Sequence, residues 1–244
     1  MERETLETKI NGGLLLSEYR EGIRFGTDAL LLTSFARDRI PRCLCADFGT
    51  GSCVLPLLLL AGGCRARFLA VEIQEQYAYL ARENAARNGF SDRVTVLHGD
   101  LREYRSLLPA GGADSVICNP PYLPSDCGRT NRSEEKRIAW HEDCLHPEEL
   151  ASAVSWALRP GGDFFCVYLP SRLTSLLCAL RGQKLEPKRL RWIAPSPFEP
   201  PSLFLLEAKK DAREGMRVLP TLYLYTDQTH REGTEELQTL TGVF

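Results

Sequence analysis

Residues 43–53 have the sequence CLCADFGTGSC, in which a short apolar run leads into a turn that contains Gly49 and Gly51. The apolar stretch VLPLLLLA follows at residues 54–61 and favours a buried helix. A buried strand, a glycine turn and a helix are typical of the first unit of a parallel sheet, because parallel strands need a crossover connection.

The same alternation of strand and helix continues along the chain. Predicted strands cover residues 43–47, 67–72, 93–97, 113–118 and 163–169, and predicted helices cover 53–61, 74–88, 147–158 and 171–180. Two later runs, 190–194 and 203–208, have prolines between them and favour a hairpin. We therefore expect an α/β fold with a mostly parallel, doubly wound, Rossmann-like sheet and an antiparallel terminal strand.

Composition narrows the class of protein. The 244 residues are 43% hydrophobic and 25% charged, which excludes a collagen-like, low-complexity or disordered chain. The formal net charge of −2 excludes a polycation that coats nucleic acid. No apolar run reaches the roughly 20 residues of a membrane span. The nine cysteines, several of them inside apolar runs, favour a reduced, cytoplasmic protein with no membrane association.

No repeat or low-complexity linker divides the chain. We predict an N-terminal extension at residues 1–40 that closes over a cofactor, a main domain at 41–225, and a tail at 226–244 that is loose. No metal is expected, because Cys127, His141, Cys144 and His146 match no common zinc spacing.

Polar residues follow the predicted strands at the edge where open α/β sheets bind ligands. Gly49 and Gly51 let the backbone approach a ligand closely, and the missing third small residue disfavours NAD and FAD. Glu72 is placed to accept hydrogen bonds from ribose hydroxyls, and Asp100 from an adenine amino group. Either carboxylate could instead cap the helix that follows it. Together, the three features predict a pocket shaped for a nucleoside.

Asn119, Pro120, Pro121 and Tyr122 follow the fourth predicted strand. The prolines stiffen the turn, so the Asn119 amide and the Pro120 carbonyl can act as converging acceptors. Tyr122 offers a ring on which a planar group can stack. This arrangement suits an exocyclic NH₂ on a conjugated ring, although the segment could also be only a proline-rich turn.

The segments DFGTGSC, VEIQ, GD and NPPY, in this order and spacing, resemble a class I S-adenosylmethionine-dependent methyltransferase that acts on an amino nitrogen. The stretch RFGTDALLL at residues 24–32 is similar to a segment of the bacterial tRNA (adenine-N6)-methyltransferases that modify a valine tRNA beside its anticodon. The stretches at residues 140–142, 185–191 and 206–210 are also similar to that family, and the likeness covers about residues 10 to 225.

The resemblance implies a role for each matching residue. Cofactor-binding residues would be Asp47, Gly49, Gly51, Glu72, Asp100 and Asn119; catalytic residues would be Asn119, Pro120 and Tyr122. Phe25, Asp28 and Tyr122 would hold the target base. Cys53 stands where the family usually has a third glycine, which is expected to weaken the approach of helix to strand.

The expected partner is tRNA, with no obligate protein partner. Residues 181–217 contain nine Lys or Arg and five Asp or Glu, and Lys188, Arg189 and Arg191 are candidate phosphate contacts in this segment. A solvated charged face is the simpler explanation for any one of these side chains. Three other functions stay open: a protein glutamine N-methyltransferase, another nucleic-acid amino-methyltransferase acting on DNA adenine or rRNA, and a non-catalytic RNA-binding module.

Overall fold

The computed structural model describes residues 4–10, 13–22, 25–40, 43–120 and 145–242. Its strands are β1 (Thr5–Lys9), β2 (Leu15–Tyr19), β3 (Leu44–Phe48), β4 (Arg67–Glu72), β5 (Val94–His98), β6 (Ala113–Cys118), β7 (Leu158–Tyr168), β8 (Leu185–Ala194), β9 (Leu203–Lys210) and β10 (Arg217–Tyr223). Eight of them form one sheet in the order β10-β8-β9-β7-β6-β3-β4-β5. Strands β3 to β7 pair in parallel, which confirms the predicted doubly wound sheet.

The antiparallel strand is β9, which pairs with both β7 and β8. The predicted hairpin of β8 and β9 is therefore confirmed. The antiparallel strand lies near the end of the sheet but is not the last one, because β8 and β10 lie outside it. The sequence analysis missed β10, an edge strand whose pairing with β8 is irregular between Leu219 and Leu222, around Pro220.

β7 begins at Leu158, earlier than predicted, because the Pro160-Gly161-Gly162 segment does not end the pairing with β6. Ala113 pairs with Leu158 on one side of an irregularity, and Ser115 pairs with Asp163 on the other. β8 also begins earlier than predicted, at Leu185.

Helices cover both faces of the sheet: α1 (Thr27–Ala36), α2 (Val54–Ala61), α3 (Glu75–Arg87), α4 (Tyr104–Leu107), α5 (Pro147–Ala157), α6 (Leu173–Gly182) and α7 (Glu235–Thr241). Consecutive strand residues point to opposite faces, so Ile117 and Phe165 pack with α1 to α3 whereas Val116 and Phe164 pack with α4 to α6. No helix in the described ranges is both long enough and apolar enough to cross a bilayer.

The N-terminal extension contains an antiparallel hairpin of β1 and β2 that was not predicted from the sequence. Asn84 of α3 and Asn88, the residue that caps the C-terminus of this helix, attach it to the main domain. The Asn84 amide accepts from the Ser17 N–H and donates to the Ser17 carbonyl, both at 2.9 Å. Asn88 makes the same pair of bonds to Leu15, at 2.9 and 2.7 Å. The two amide side chains thus bind the N–H and carbonyl groups of alternate β2 residues, Leu15 and Ser17, in the way that the backbone of a neighbouring strand would.

The C-terminal tail predicted at residues 226–244 contains the short helix α7, and its looseness stays a prediction. α7 packs against α1, and the Ser34 hydroxyl lies 3.2 Å from the Leu240 carbonyl oxygen. Leu237 and Leu240 are three residues apart on one face of this short helix and pack on the core. The Thr234 side chain caps the helix by accepting from the Leu237 N–H.

The buried cysteines behave as the apolar runs around them predicted. Cys45, Cys53, Cys118 and Cys166 are fully buried, and burial raises the pKa of each thiol. These thiols stay protonated and act as small apolar side chains. Cys127 and Cys144 lie outside the described residues.

Candidate active site

The polar residues predicted to form one pocket follow adjacent strands at one edge of the sheet. Asp47 lies near the end of β3, Glu72 ends β4, and Asn119 directly follows β6. β3 is the neighbour of both β4 and β6. Because adjacent strands are only about 4.8 Å apart, the three strand ends lie side by side.

The glycine turn after β3 is held against the end of β4. The N–H groups of Gly49 and Thr50 both donate to the Val71 carbonyl, at 2.9 and 3.0 Å. Gly49 and Gly51 have φ angles of 73° and 54°, in the left-handed region that favours glycine. A Cβ at either position would meet no atom of the described residues within 4 Å. Within that part of the chain, the turn leaves room for close approach of a ligand.

Glu72 joins this turn to the next connection. One of its carboxylate oxygens accepts from the Gly51 N–H and the other from the Gln74 N–H, each at 2.9 Å. The side chain is buried, and burial raises the pKa of Glu72 although both hydrogen bonds act to lower it. Each oxygen keeps a further lone pair that can accept a ligand hydroxyl. The ribose contact stays a prediction.

Asp47 is fully buried, and its two carboxylate oxygens have different environments. Oδ2 accepts from the Thr50 hydroxyl at 2.6 Å, whereas Oδ1 is buried and has no hydrogen-bond partner among the residues that the structure describes. Burial raises the pKa of Asp47 to about 7, and the nearby Glu72 carboxylate adds to the rise. An unpartnered buried acceptor is costly, so a site that keeps one is suited to a polar ligand group.

Cys53 occupies the position where the resemblance led us to expect a glycine. Its φ of 72° and ψ of 23° are left-handed, and the residue caps the N-terminus of α2. This conformation costs a residue with a Cβ about 1 kcal/mol. The turn nevertheless closes, since the Cys53 N–H donates to the Thr50 carbonyl at 2.9 Å.

Asp100 has the capping role that the sequence analysis kept as an alternative to adenine binding. It accepts from the Arg102 N–H at 2.9 Å and begins a 3-10 turn. The Arg102 guanidinium also donates to both carboxylate oxygens and lowers the pKa of Asp100. The adenine contact stays a prediction.

Asn119 meets the N-terminal extension. Its side-chain nitrogen donates to Asp28 Oδ2 at 3.0 Å, across 91 positions in the sequence. Pro120 is buried, whereas Pro121 and Tyr122 lie outside the described residues. The structure therefore brings together Asn119 and Asp28, two residues that the sequence analysis assigned to the same reaction.

Phe25 lies on the segment that leads into α1. Its N–H donates to Glu18 Oε1 at 2.7 Å, and its ring packs against the apolar core. Glu18 is buried at 4% exposure and belongs to β2. A role for Phe25 in binding the base stays a prediction.

The three basic candidates for RNA contact lie on β8, and each has an intramolecular partner. The Lys188 ammonium donates to a backbone carbonyl at 3.0 Å. Arg189 is paired with the buried Glu207, and Arg191 with Glu236. These side chains would have to exchange internal partners for phosphates, and RNA contact at the three positions stays a prediction.

A family model described as "Methyltransferase small domain" matches residues 20–171. The chain belongs to this family. The matched range includes the glycine turn, Glu72, Asp100 and Asn119 at the strand ends.

Similar proteins include two that are named tRNA1(Val) (adenine(37)-N6)-methyltransferase. The one from Porphyromonas gingivalis is 31% identical over 76% of this chain and 74% of its own length. The one from Bacteroides fragilis is also 31% identical, over 79% of this chain and 81% of its own length. Among solved structures, a predicted O-methyltransferase of Agrobacterium tumefaciens has a TM-score of 0.71 at 21% identity, covering 88% of this chain and 96% of that chain.

Sequence reasoning missed several residues that shape this methyltransferase. Asn84 donates to the Ser52 carbonyl at 2.9 Å as well as binding β2, so it joins the hairpin to the glycine turn. The sequence pattern could have identified Asn84, because this amide side chain occupies a position of α3 where the helical period predicts an apolar residue. Glu18 gave no such signal, since its partner is a backbone N–H seven residues away.

Proposed function

We propose that this methyltransferase transfers the methyl group of S-adenosylmethionine to N6 of an adenine in the anticodon loop of a valine tRNA. The observation that carries the proposal is the position of Asn119 at the end of β6, beside the strand that leads into the glycine turn. The names of the relatives from P. gingivalis and B. fragilis support the choice of substrate.

The residues at the strand ends fit S-adenosylmethionine. Asp47 Oδ1 is a buried acceptor without a partner, suited to the polar methionine end of the cofactor. The open space at Gly49 and Gly51 admits a ligand against the backbone, and Glu72 retains lone pairs for the ribose hydroxyls. The bound cofactor supplies an activated methyl group on a sulfonium.

Asn119 and Pro120 prepare the nitrogen that receives the methyl group. The lone pair of an adenine N6 is delocalised into the ring, so the free amine is a poor nucleophile. Acceptance of its two hydrogens by the Asn119 side-chain oxygen and the Pro120 carbonyl pulls the nitrogen toward tetrahedral geometry. Tyr122, in its expected role, stacks on the base.

No strong base is needed for this reaction. Catalysis consists mainly of alignment for in-line displacement and of exclusion of water from the reacting pair. The proton leaves N6 after transfer, when the methylated nitrogen is acidic. Asn119 thus polarises and orients the amine and does not abstract its proton.

The N-terminal extension at residues 1–40 serves as the cover of this site. Asp28 of this extension accepts a hydrogen bond from the Asn119 side chain. Residues 41–225 act as the catalytic domain. An anticodon loop suits a covered site of this kind, because its bases are unstacked at low cost before they enter.

The test is methyl incorporation from labelled S-adenosylmethionine into three acceptors. These are an unmodified valine tRNA anticodon stem-loop, an adenine-containing DNA duplex, and a peptide with an exposed glutamine. Incorporation into the stem-loop, with N6-methyladenosine after nuclease digestion, is the expected result. Incorporation only into peptide or DNA would replace the proposal with one of those functions, and incorporation into none would favour a non-catalytic RNA-binding role.

Asn119→Ala provides the matched test of the site. It is expected to leave cofactor binding, measured by calorimetry, nearly intact and to reduce turnover by about two orders of magnitude or more. Normal turnover in this variant would exclude the role assigned to Asn119.

A further inference from the structure

We propose that Asp28 is a positioning residue that fixes which end of the Asn119 amide faces the substrate. The inference rests on the proposed function, since it concerns how the same amide accepts a hydrogen from an amino group. It goes beyond base binding by Asp28, because Asp28 acts here through Asn119.

The hydrogen bond between the two residues has only one workable polarity. An ionised carboxylate accepts and cannot donate, so the 3.0 Å contact to Asp28 requires the Asn119 nitrogen on that side. The Asn119 oxygen is then turned away from Asp28 and is available as an acceptor. A flipped amide would set its oxygen against the carboxylate and offer N–H groups to a substrate that also presents N–H groups. Asp28 therefore disfavours the orientation in which the amide cannot bind an amino nitrogen.

The sequence around Asp28 leaves room for its carboxylate in this position. Gly26 precedes α1, and a Cβ added to it would lie 2.7 Å from Asp28 Oδ1. Gly26 has φ −116° and ψ −174°, which any residue can adopt. A side chain at position 26 would thus displace the Asp28 carboxylate from its observed position, whereas the backbone conformation there sets no requirement for glycine. The carboxylate also lies in the first turn of α1, where the helix dipole favours negative charge.

Buried contacts anchor the segment that carries Asp28. The Phe25 N–H donates to Glu18, which is part of β2. β2 is bound at Ser17 by Asn84, and Asn84 also binds the Ser52 carbonyl beside the glycine turn. The position of Asp28 is therefore tied to the same framework that shapes the cofactor turn.

The first test compares Asp28→Asn with Asp38→Asn, which removes an exposed carboxylate just beyond the other end of α1. An asparagine at position 28 can pair with either end of the Asn119 amide, so the orientation is no longer selected. We expect kcat to fall about twofold in Asp28→Asn, because about half of the molecules then hold the competent orientation, with cofactor affinity and unfolding midpoint close to wild type. Asp38→Asn should keep wild-type kcat. A wild-type kcat in Asp28→Asn would overturn the proposal.

A double mutant separates positioning from direct contact with the base. If Asp28 acts only through the amide, Asp28→Asn should cause no further loss in an Asn119→Ala background. The same loss in both backgrounds would show that Asp28 acts independently of Asn119 and would overturn the inference. Gly26→Ala, which crowds the carboxylate, should reduce kcat in the wild-type background and have no effect beside Asn119→Ala.

A spectroscopic measurement tests the inference without any methyl transfer. The Asn119 side-chain NH₂ signals are identified in a ¹⁵N–¹H spectrum by their absence in Asn119→Ala. We expect them to shift in Asp28→Asn and to stay in place in Asp38→Asn, and unshifted signals in Asp28→Asn would overturn the inference. If no acceptor is methylated by the wild type, the proposed function fails while this measurement still decides the role of Asp28.

Discussion

Replacement of Asp47 by asparagine removes a buried carboxyl group whose pKa is raised to about 7 from 3.8. Because the folded pKa is the higher one, protonation of Asp47 stabilises the folded state. The contribution is fully present below about pH 4 and is lost as the pH rises through about 7. With these two values, linkage makes the folded protein about 2 kcal/mol less stable at pH 8.5 than at pH 5.5 on account of Asp47 alone.

Asp47→Asn has no charge to bury at either pH and should not show this loss. The assay is urea unfolding of both proteins at about pH 5.5 and pH 8.5, with the free energy of unfolding extrapolated to water. The difference between variant and wild type should shift by about 2 kcal/mol in favour of the variant at the higher pH. Burial also raises the pKa of Glu72, and because the two carboxylates repel each other, the comparison reports the titration of Asp47 together with its coupling to Glu72.

Asp92→Asn, which changes an exposed carboxylate, is the control and should follow the wild type at both pH values. Equal pH dependence in wild type and Asp47→Asn would refute the reasoning. It would mean that Asp47 is solvated or paired in the folded protein, and that its unpartnered oxygen is not a reserved contact for a ligand.

Two further substitutions test the framework of the site by urea unfolding. Cys53→Gly relieves the left-handed strain but loses a small buried side chain, so its free energy of unfolding should stay within about 1 kcal/mol of wild type. Cys53→Val introduces a β-branched residue in the left-handed region, and its free energy of unfolding should fall by about 2 kcal/mol or more. Equal stability of the two variants would contradict the strain argument. Asn84→Ala removes the side-chain partner of backbone groups of Ser17 and Ser52, so the free energy of unfolding should fall by about 2–4 kcal/mol. The control Glu83→Ala, on the exposed side of α3, should change the free energy of unfolding little. A loss in Asn84→Ala no larger than in this control would show that other contacts attach the hairpin.

The centre of the sheet could be predicted because its local patterns and its tertiary structure agree. β4 and β6 have the predicted bounds, α2 begins one residue later than predicted, and β3 is shifted by one residue at each end. In these segments nearly every side chain is buried, so composition alone separates them from loops. The strand ends then brought Asp47, Glu72 and Asn119 together as the fold rule requires.

Elements at the margins could not be predicted, because contacts distant in sequence stabilise them. The β1–β2 hairpin depends on Asn84 of α3 and on its C-cap Asn88, and β10 is an edge strand that contains a proline. α7 is a short, polar helix that folds against α1. Isolated segments of this length are unstable in water, so no local pattern identifies them.

In the candidate site too, local sequence patterns identify some residues, whereas contacts between distant parts of the chain could not be predicted. Glu72 was identified from its position after a strand, and the structure adds that it holds the glycine turn through the Gly51 N–H. Asp28 was identified only by family resemblance. Its hydrogen bond to Asn119 joins residues 91 positions apart, and no spacing rule along the chain predicts such a contact.

The central claim is methylation of adenine N6 in a tRNA anticodon loop, and mapping the product tests it most directly. Purified protein is incubated with unmodified valine tRNA and labelled S-adenosylmethionine, and the tRNA is digested and analysed by mass spectrometry. We expect one N6-methyladenosine, located in the anticodon loop, and a rate of its formation about a hundredfold lower or less with Asn119→Ala. A methyl group elsewhere in the tRNA, or the same yield with Asn119→Ala, would contradict it.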